Sequence, residues 1–229
     1  VSARVLPLVL HGKSDRAAVS VKVDELVIAG WTGRDKAAVE KHIEELAALG
    51  VKRPPTTPVF YRASAARLTL DDEIEVLGET SSGEVEFVLL QHAGRLWVGT
   101  GSDHTDRQVE TYSVTVSKQM CDKPIAADFW DYEAVAPHWD RLLLRATIME
   151  KGERVLYQAG SVTAMLDPKE LIARYTDNGA LAEGTLMFCG TLAAQGAVRA
   201  APEFDYELDD PVLGRKIGAR YRIRTLPMM

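Results

Sequence analysis

Short runs of alternating or continuously apolar residues, rich in β-branched and aromatic side chains and punctuated by Gly and Asp, dominate this chain. They predict strands over residues 4–10, 19–29, 58–62, 73–77, 84–90 and 96–98. Residues 142–149 and 154–163 read as a hairpin turning at Lys151-Gly152, with further strands over 185–189, 203–208 and 220–226. Residues 112–117 also have a β-like pattern. Helical spacing stands out twice. Over residues 35–49, Val39, Ile43 and Leu46 form one stripe and Gly50 supplies the stop. Over 167–175, Asp167 sits at the N-cap with Pro168 in the first turn, where a missing amide donor costs little.

There is no internal repeat and no low-complexity tract. Residues 51–57, Val-Lys-Arg-Pro-Pro-Thr-Thr, are the best boundary candidate. They would separate N-terminal strands and a helix (1–55) from a long β-rich part (56–229), unless the whole is one continuous domain. With 229 residues the chain can bury a sizeable core, and 46% hydrophobic with 26% charged residues is globular composition. The net charge of −6, with Lys and Arg dispersed, offers no basic footprint for nucleic acid or an anionic membrane. No apolar run approaches the roughly 20 residues of a membrane span. The apolar start is followed by Lys13, Asp15 and Arg16, which reads as a strand and not a signal peptide. Cys121 and Cys189 are too few and too far apart for a disulfide framework or a zinc site. The expectation is a soluble, cytoplasmic protein.

Several constellations could carry chemistry. Glu84 and Glu86 project from one face of their strand, and the passage into Phe87-Val88-Leu89-Leu90 points to burial. Glu73-Ile74-Glu75 has the same spacing and reads equally well as a half-exposed strand. The polar, Gly-rich stretch 99–108 places Asp103, His104, Asp106 and Arg107 after the strand 96–98. Hard divalent cations take several carboxylate oxygens, so Glu84, Glu86 and an aspartate of this stretch suit magnesium, though a surface loop explains the stretch as well. His104 has no partner at ligand spacing and is expected to make hydrogen bonds. On the first helix His42 and Glu45 are surface neighbours, suited to a general base and its orienting carboxylate or to a plain surface pair. Lys118 alone carries no message, Cys121 lacks an activating partner, and Ser102 lacks a Gly-x-Ser-x-Gly context.

In order along the chain, these segments resemble the fumarylacetoacetate-hydrolase-like family. His42 and Glu45 match its helix His-x-x-Glu, and 58–64 (Pro-Val-Phe-Tyr-Arg-Ala-Ser) is similar to its Pro-x-x-Phe-x-Lys-Pro-Ser strand. Glu84 and Glu86 match its Glu-x-Glu strand, 102–108 its Asn-Asp-x-Ser/Thr-x-Arg-Asp loop, and Lys118 its lysine before a Cys-Pro-like segment. Residues 184–191 are similar to its Gly-Asp-x-Ile-x-x-Gly-Thr motif. Ser102, Gln108 and Arg62 depart from the family's usual Asn, Asp and Lys, and a short gap between Glu86 and Asp103 suggests a missing inserted hairpin.

The resemblance implies a β-rich α+β fold, a mixed β roll with layered sheets and peripheral helices, commonly as a homodimer. It implies Glu84, Glu86 and Asp103 as ligands of Mg2+ or Mn2+, His42 with Glu45 and Lys118 as catalytic groups, and Arg62, Arg107 and Thr191 as substrate-binding residues. The implied activity is that of an enzyme, a metal-dependent hydrolase cleaving a carbon–carbon bond of a small carboxylate, an acylpyruvate or 2-oxo acid, through a metal-bound enolate. Decarboxylation, isomerisation, hydration, carbon–nitrogen or ester hydrolysis, and non-catalytic binding are the alternatives.

Overall fold

The structure, a computed structural model, describes residues 3–48, 53–177 and 179–228. The side chains at positions 42, 45, 46 and 48, the helix stop at Gly50 and positions 51–52 of the boundary stretch lie outside that description.

The first strands are β1 (Arg4–His11), β2 (Arg16–Val23), β3 (Glu25–Gly30) and β4 (Val59–Ala63). The middle of the chain adds β5 (Leu68–Thr69), β6 (Glu73–Leu77), β7 (Ser81–Ser82), β8 (Val85–His92), β9 (Arg95–Ser102) and β10 (Thr105–Asp106). Then come β11 (Lys123–Pro124), β12 (Asp128–Asp131), β13 (Leu143–Glu150), β14 (Glu153–Ser161), β15 (Thr185–Thr191), β16 (Glu203–Asp210) and β17 (Arg215–Leu226). The α-helices are α1 (Lys36–Ala48), α2 (Arg107–Tyr112), α3 (Val114–Met120), α4 (Tyr132–Val135) and α5 (Pro168–Tyr175).

Eight strands form one sheet in the order β2-β1-β12-β9-β8-β15-β3-β4, and five form another, β14-β13-β16-β17-β6. Connectivity dictates the shape of the first. β2 lies at one edge and β3 six strands away, a flat separation of about 29 Å at about 4.8 Å per strand. Yet only Asp24 joins them, and one residue cannot span that distance. The sheet therefore rolls until its edges approach. One core cluster, with Leu6, Val21, Leu26, Val88, Phe129 and Phe188, lines one face of the roll. A second, with Val27, Phe87, Trp130, Leu144, Phe204 and Tyr221, fills the space between the roll and the five-stranded sheet. Alternation along β8 divides these duties: Val85, Phe87 and Leu89 belong to the layer between sheets, Val88 and Leu90 to the roll. This is the expected β roll with layered sheets and helices at its periphery.

The two-part division at residues 51–57 leaves no mark on the sheets. β1, β2 and β3 pair with β12, with one another and with β4 and β15, so the N-terminal strands are built into the same sheet as the rest. Among the described residues no helix is long and apolar enough to cross a membrane.

Three local expectations need correcting. Residues 19–29 are two strands that break at Asp24. β9 continues past Val98 to Ser102, because Gly99 to Ser102 keep pairing with β8. Tyr112 and residues 114–117 are helical, not extended. The alternation of Val114, Thr115 and Val116 resembles a strand, but capping decides the outcome. Asp106 accepts from the Val109 amide at 2.9 Å to start α2, and Ser113, itself extended, caps α3 through the Val116 amide.

Candidate metal centre and its charged partners

The centre grows out of the register of β8 and β9. Val85 faces Ser102 and Glu86 faces Gly101. Beyond the pair, the Asp103 amide donates to the Glu84 carbonyl at 3.0 Å, and the Glu84 amide to Ser102 Oγ at 3.2 Å. Directly opposed residues share a face, so Glu84, Glu86 and Asp103 converge at one end of the strand pair. Each offers a carboxylate oxygen within 4.8 Å of the others. Glu86 and Asp103 are buried, 2% and 0% exposed, while Glu84 keeps 19% of its side chain exposed at the rim.

A bulge fixes Glu86. The register between β15 and β8 shifts between Phe188 and Thr191, turning the Gly190 amide toward Glu86 Oε2 at 2.6 Å. Gly190 has φ +94°, and a Cβ there would lie 1.8 Å from Thr32 Oγ1, so only glycine fits.

Cations surround the carboxylates. Lys118, in the last turn of α3, contacts Asp103 Oδ2 and lies 3.9 Å from Glu84 Oε2. Lys123, fully buried, is 3.2 Å from Asp103 Oδ1 and donates to the His104 carbonyl at 2.5 Å. Arg107 Nη1 is 3.1 Å from Glu84 and 3.0 Å from Glu110, and its Nε donates to Ser82 Oγ at 2.7 Å.

Electrostatics split the three acids. Burial pushes the Glu86 carboxyl well up, and the charges of Asp103 and Glu84 add to it. Burial also raises Glu84, against Arg107 and Lys118. Burial pushes Asp103 up too, but the ammonium groups of Lys118 and Lys123 outweigh it and hold its pKa at about 2. For Lys118, burial works against the charge, and Asp103 and Glu84 more than restore it.

The expected site residues fall into three groups. The structure brings together Glu84, Glu86, Asp103, Lys118 and Arg107. Arg62 is engaged elsewhere, pairing with Glu25 at 3.1 Å and donating to Tyr175 Oη at 3.3 Å, while Thr191 stands opposite Glu86 in the β15–β8 register, its hydroxyl donating to the Val85 carbonyl and accepting from Gln158 Nε2. The side chains of His42 and Glu45 lie outside the described residues. His104 makes hydrogen bonds through both ring nitrogens, to Tyr221 Oη and Ser81 Oγ, each at 2.9 Å, and burial depresses its pKa to about 3. Burial raises both cysteine thiols, so neither is an activated nucleophile.

Sequence reasoning missed Lys123 and Gly190. In the sequence Lys123 follows Asp122 and precedes Pro124, and nothing local separates it from a surface lysine. Gly190 lay inside the quoted motif, but its amide acts through a bulge that no spacing rule announces. Two open depressions of about 340 and 290 Å3 lie apart from the centre, one bordered by Glu25 and Tyr175, the other by Arg145 and Gly218.

Residues 29–221 match the family described as "Protein of unknown function (DUF2848)". No curated protein matches the chain. Among solved structures it is similar to 2-keto-3-deoxy-D-arabinonate dehydratase complexed with magnesium and 2,5-dioxopentanoate, with TM-score 0.66 and 14% identity over 94% of this chain and 78% of that one. It is also similar to yeast ynq8, a fumarylacetoacetate hydrolase family protein, with TM-score 0.63 and 16% identity over 90% and 95%. A third is 4-oxalocrotonate decarboxylase from Pseudomonas putida G7, complexed with calcium and acetate, with TM-score 0.55 and 17% identity over 87% and 76%. At such identities the likeness speaks for the fold, which is that of fumarylacetoacetate hydrolase family proteins.

Proposed function

The chain belongs to the DUF2848 family, and from that premise we propose that it is a divalent-cation-dependent enzyme acting on a small 2-oxo carboxylate, with hydrolytic carbon–carbon cleavage of an acylpyruvate as its reaction. The observation that carries this reading is the convergence of Glu84, Glu86 and Asp103 beside the buried ammonium of Lys118. The donor set fits the group: three carboxylates are the hard oxygen ligands magnesium and manganese take, and a cation there would favour the ionised forms that burial disfavours at Glu84 and Glu86. A divalent cation held there supplies a Lewis acid for a carbonyl oxygen.

The chain's own groups do the rest. Lys118 supplies a cation at the centre that would stabilise negative charge developing on a substrate oxygen. Arg107, at the rim with 21% of its side chain exposed, orients Glu84 and can meet a substrate carboxylate. From the family resemblance, His42 with Glu45 is the proposed base for water. His104 is unsuited to that task, because both ring nitrogens are engaged.

A second reading, decarboxylation or dehydration of a 2-oxo acid, is favoured by the names of two proteins of similar fold, a dehydratase and a decarboxylase. Both readings are tested by incubating the protein with a panel of 2-oxo acids and acylpyruvates plus magnesium or manganese, following products by mass spectrometry. Cation-dependent formation of two carboxylate products with uptake of water supports hydrolysis. Loss of carbon dioxide or water from the substrate supports the second reading. No turnover with either cation overturns both.

A further inference from the structure

Two ammonium groups meet the same carboxylate, and they are anchored differently. Lys123 belongs to β11, which pairs with β5, and its side chain is fully buried. Besides Asp103 it binds a neutral group, the His104 carbonyl, so main chain fixes it from both sides. Lys118 sits in the last turn of the short helix α3 and retains 8% side-chain exposure. Its second partner is Glu84, another member of the acidic trio. Among the described residues, Lys118 is the lysine whose ammonium reaches two of the three carboxylates within 4.0 Å.

Charge explains why such a group is needed. Ionising all three carboxylates this close together inside protein is strongly opposed by their mutual repulsion. Lys123 neutralises one of them, and Arg107 is shared with Glu110 outside the trio. Lys118 supplies the remaining compensation at the point where Asp103 and Glu84 approach. A divalent cation bound by the same oxygens would face the Lys118 ammonium as a like charge at short range, which is costly.

We propose that Lys118 is an exchangeable counterion of the carboxylate trio: a divalent cation takes over Asp103 and Glu84 from its ammonium, while Lys123 remains on Asp103 as the permanent counter-charge. The proposal rests on reading the trio as a cation site. Its functional consequence is an order of events, because the ammonium becomes free to meet an anionic substrate only after the cation has loaded.

Calorimetric titration with magnesium and with manganese tests it on the wild-type chain, Lys118→Met, Lys118→Gln and Glu86→Gln. The exchange requires both Lys118 variants to bind cation at least about ten-fold more tightly than wild type, since a competing charge has gone. Glu86→Gln must bind more weakly. Unchanged or weaker affinity in the Lys118 variants, with Glu86→Gln weakened, overturns the exchange and leaves the cation site standing. A wild-type chain that binds neither cation, or a Glu86→Gln change without effect, overturns the cation site and the exchange together. Should the Lys118 variants not fold, acetic anhydride labelling of the wild-type chain reads the same event by peptide mass spectrometry. Lys118 must acetylate faster with magnesium than without, with Lys123 unlabelled in both. Equal or slower labelling of Lys118 overturns the exchange.

Discussion

Glu73-Ile74-Glu75 and Glu84-Val85-Glu86 share one local pattern and meet opposite fates. The first pair lies on β6, at the edge of the five-stranded sheet, with both carboxylates turned to the outer face. There Arg222 and Arg224 of β17 stand opposite in parallel register. Every acid has a guanidinium beside it, and water covers the rest, with 37% and 48% of the two side chains exposed. The second pair leads into β8, whose residues Val85–Leu90 are buried on both faces, and a third acid, Asp103, joins it there. Period-two spacing makes two carboxylates share a face in either place. What turns one pair into a candidate site is the company that tertiary structure assigns to it.

The largest effect should come from breaking the buried arrangement outright. Asp103→Asn leaves Lys118 and Lys123 buried without their carboxylate, and breaking a buried ion pair typically costs about 3–5 kcal/mol. Urea unfolding should register a loss of that order. A loss under 1 kcal/mol would mean that the lysines find other partners and that the pairing does little for the fold.

Glu86→Gln sharpens the contrast between the two pairs. It should lower divalent-cation affinity about 100-fold, some 2.7 kcal/mol by the usual tenfold-per-1.36 conversion, and abolish cation-dependent turnover. In the cation-free protein it should be neutral or stabilising, because it removes a carboxylate that burial and two acidic neighbours disfavour. Glu75→Gln, at the same step of the exposed pair, should leave cation affinity unchanged by calorimetry.

The pH dependence separates Asp103 from Glu86 within the centre. Asp103, held at about 2 against an ordinary 3.8, contributes stability that is present above pH 4 and lost as pH falls toward 2. Glu86 works the other way. Its folded carboxyl keeps its proton above the ordinary 4.5, so the unfolded chain ionises first and cation-free stability declines as pH rises past that value. The slope for one proton is at most about 1.4 kcal/mol per pH unit. Relative to Glu86→Gln, the cation-free wild type should lose stability between pH 4.5 and 7, measured by urea midpoints, and saturating magnesium should flatten the difference. Parallel curves for the two proteins would remove Glu86 as a strained acid.

Much of this contrast was legible in the chain. The run Phe87-Val88-Leu89-Leu90 announces that Glu86 is buried, and the hydrophobic period places both pairs on strands. The family resemblance put Asp103 and Lys118 in one centre. Its loop motif carried Arg107 to the same place. What escaped was decided by contacts distant in sequence or by local competition. Lys123 reads as a turn lysine until β11 pairs with β5. Gly190 binds Glu86 only because β15 bulges against β8. The helices α2 and α3 carry strand-like residues, and two caps overrule the pattern. Arg62 matched a motif position, yet Glu25 and Tyr175 hold it, while Thr191 stands opposite Glu86 with its hydroxyl engaged by Val85 and Gln158.

The smallest effect belongs to the exposed pair, and its smallness is the point. Arg224 touches Glu75 and lies 3.3 Å from Glu73, yet both sides of this bridge are largely solvated. Water already stabilises the separate charges, and holding two long side chains together costs rotamer entropy. Exposed pairs of this kind contribute about 0.2–1 kcal/mol, and added salt screens them. Arg224→Gln should therefore shift the urea midpoint by less than about 1 kcal/mol equivalent, and 1 M NaCl, where the screening length is about 3 Å, should shrink that shift further. The Asp103→Asn loss should persist in the same salt, because ions do not reach a carboxylate that is 0% exposed. If salt erased both losses alike, the buried centre would be electrostatically open to solvent. The distinction between the two Glu-x-Glu strands would then rest on sequence context alone.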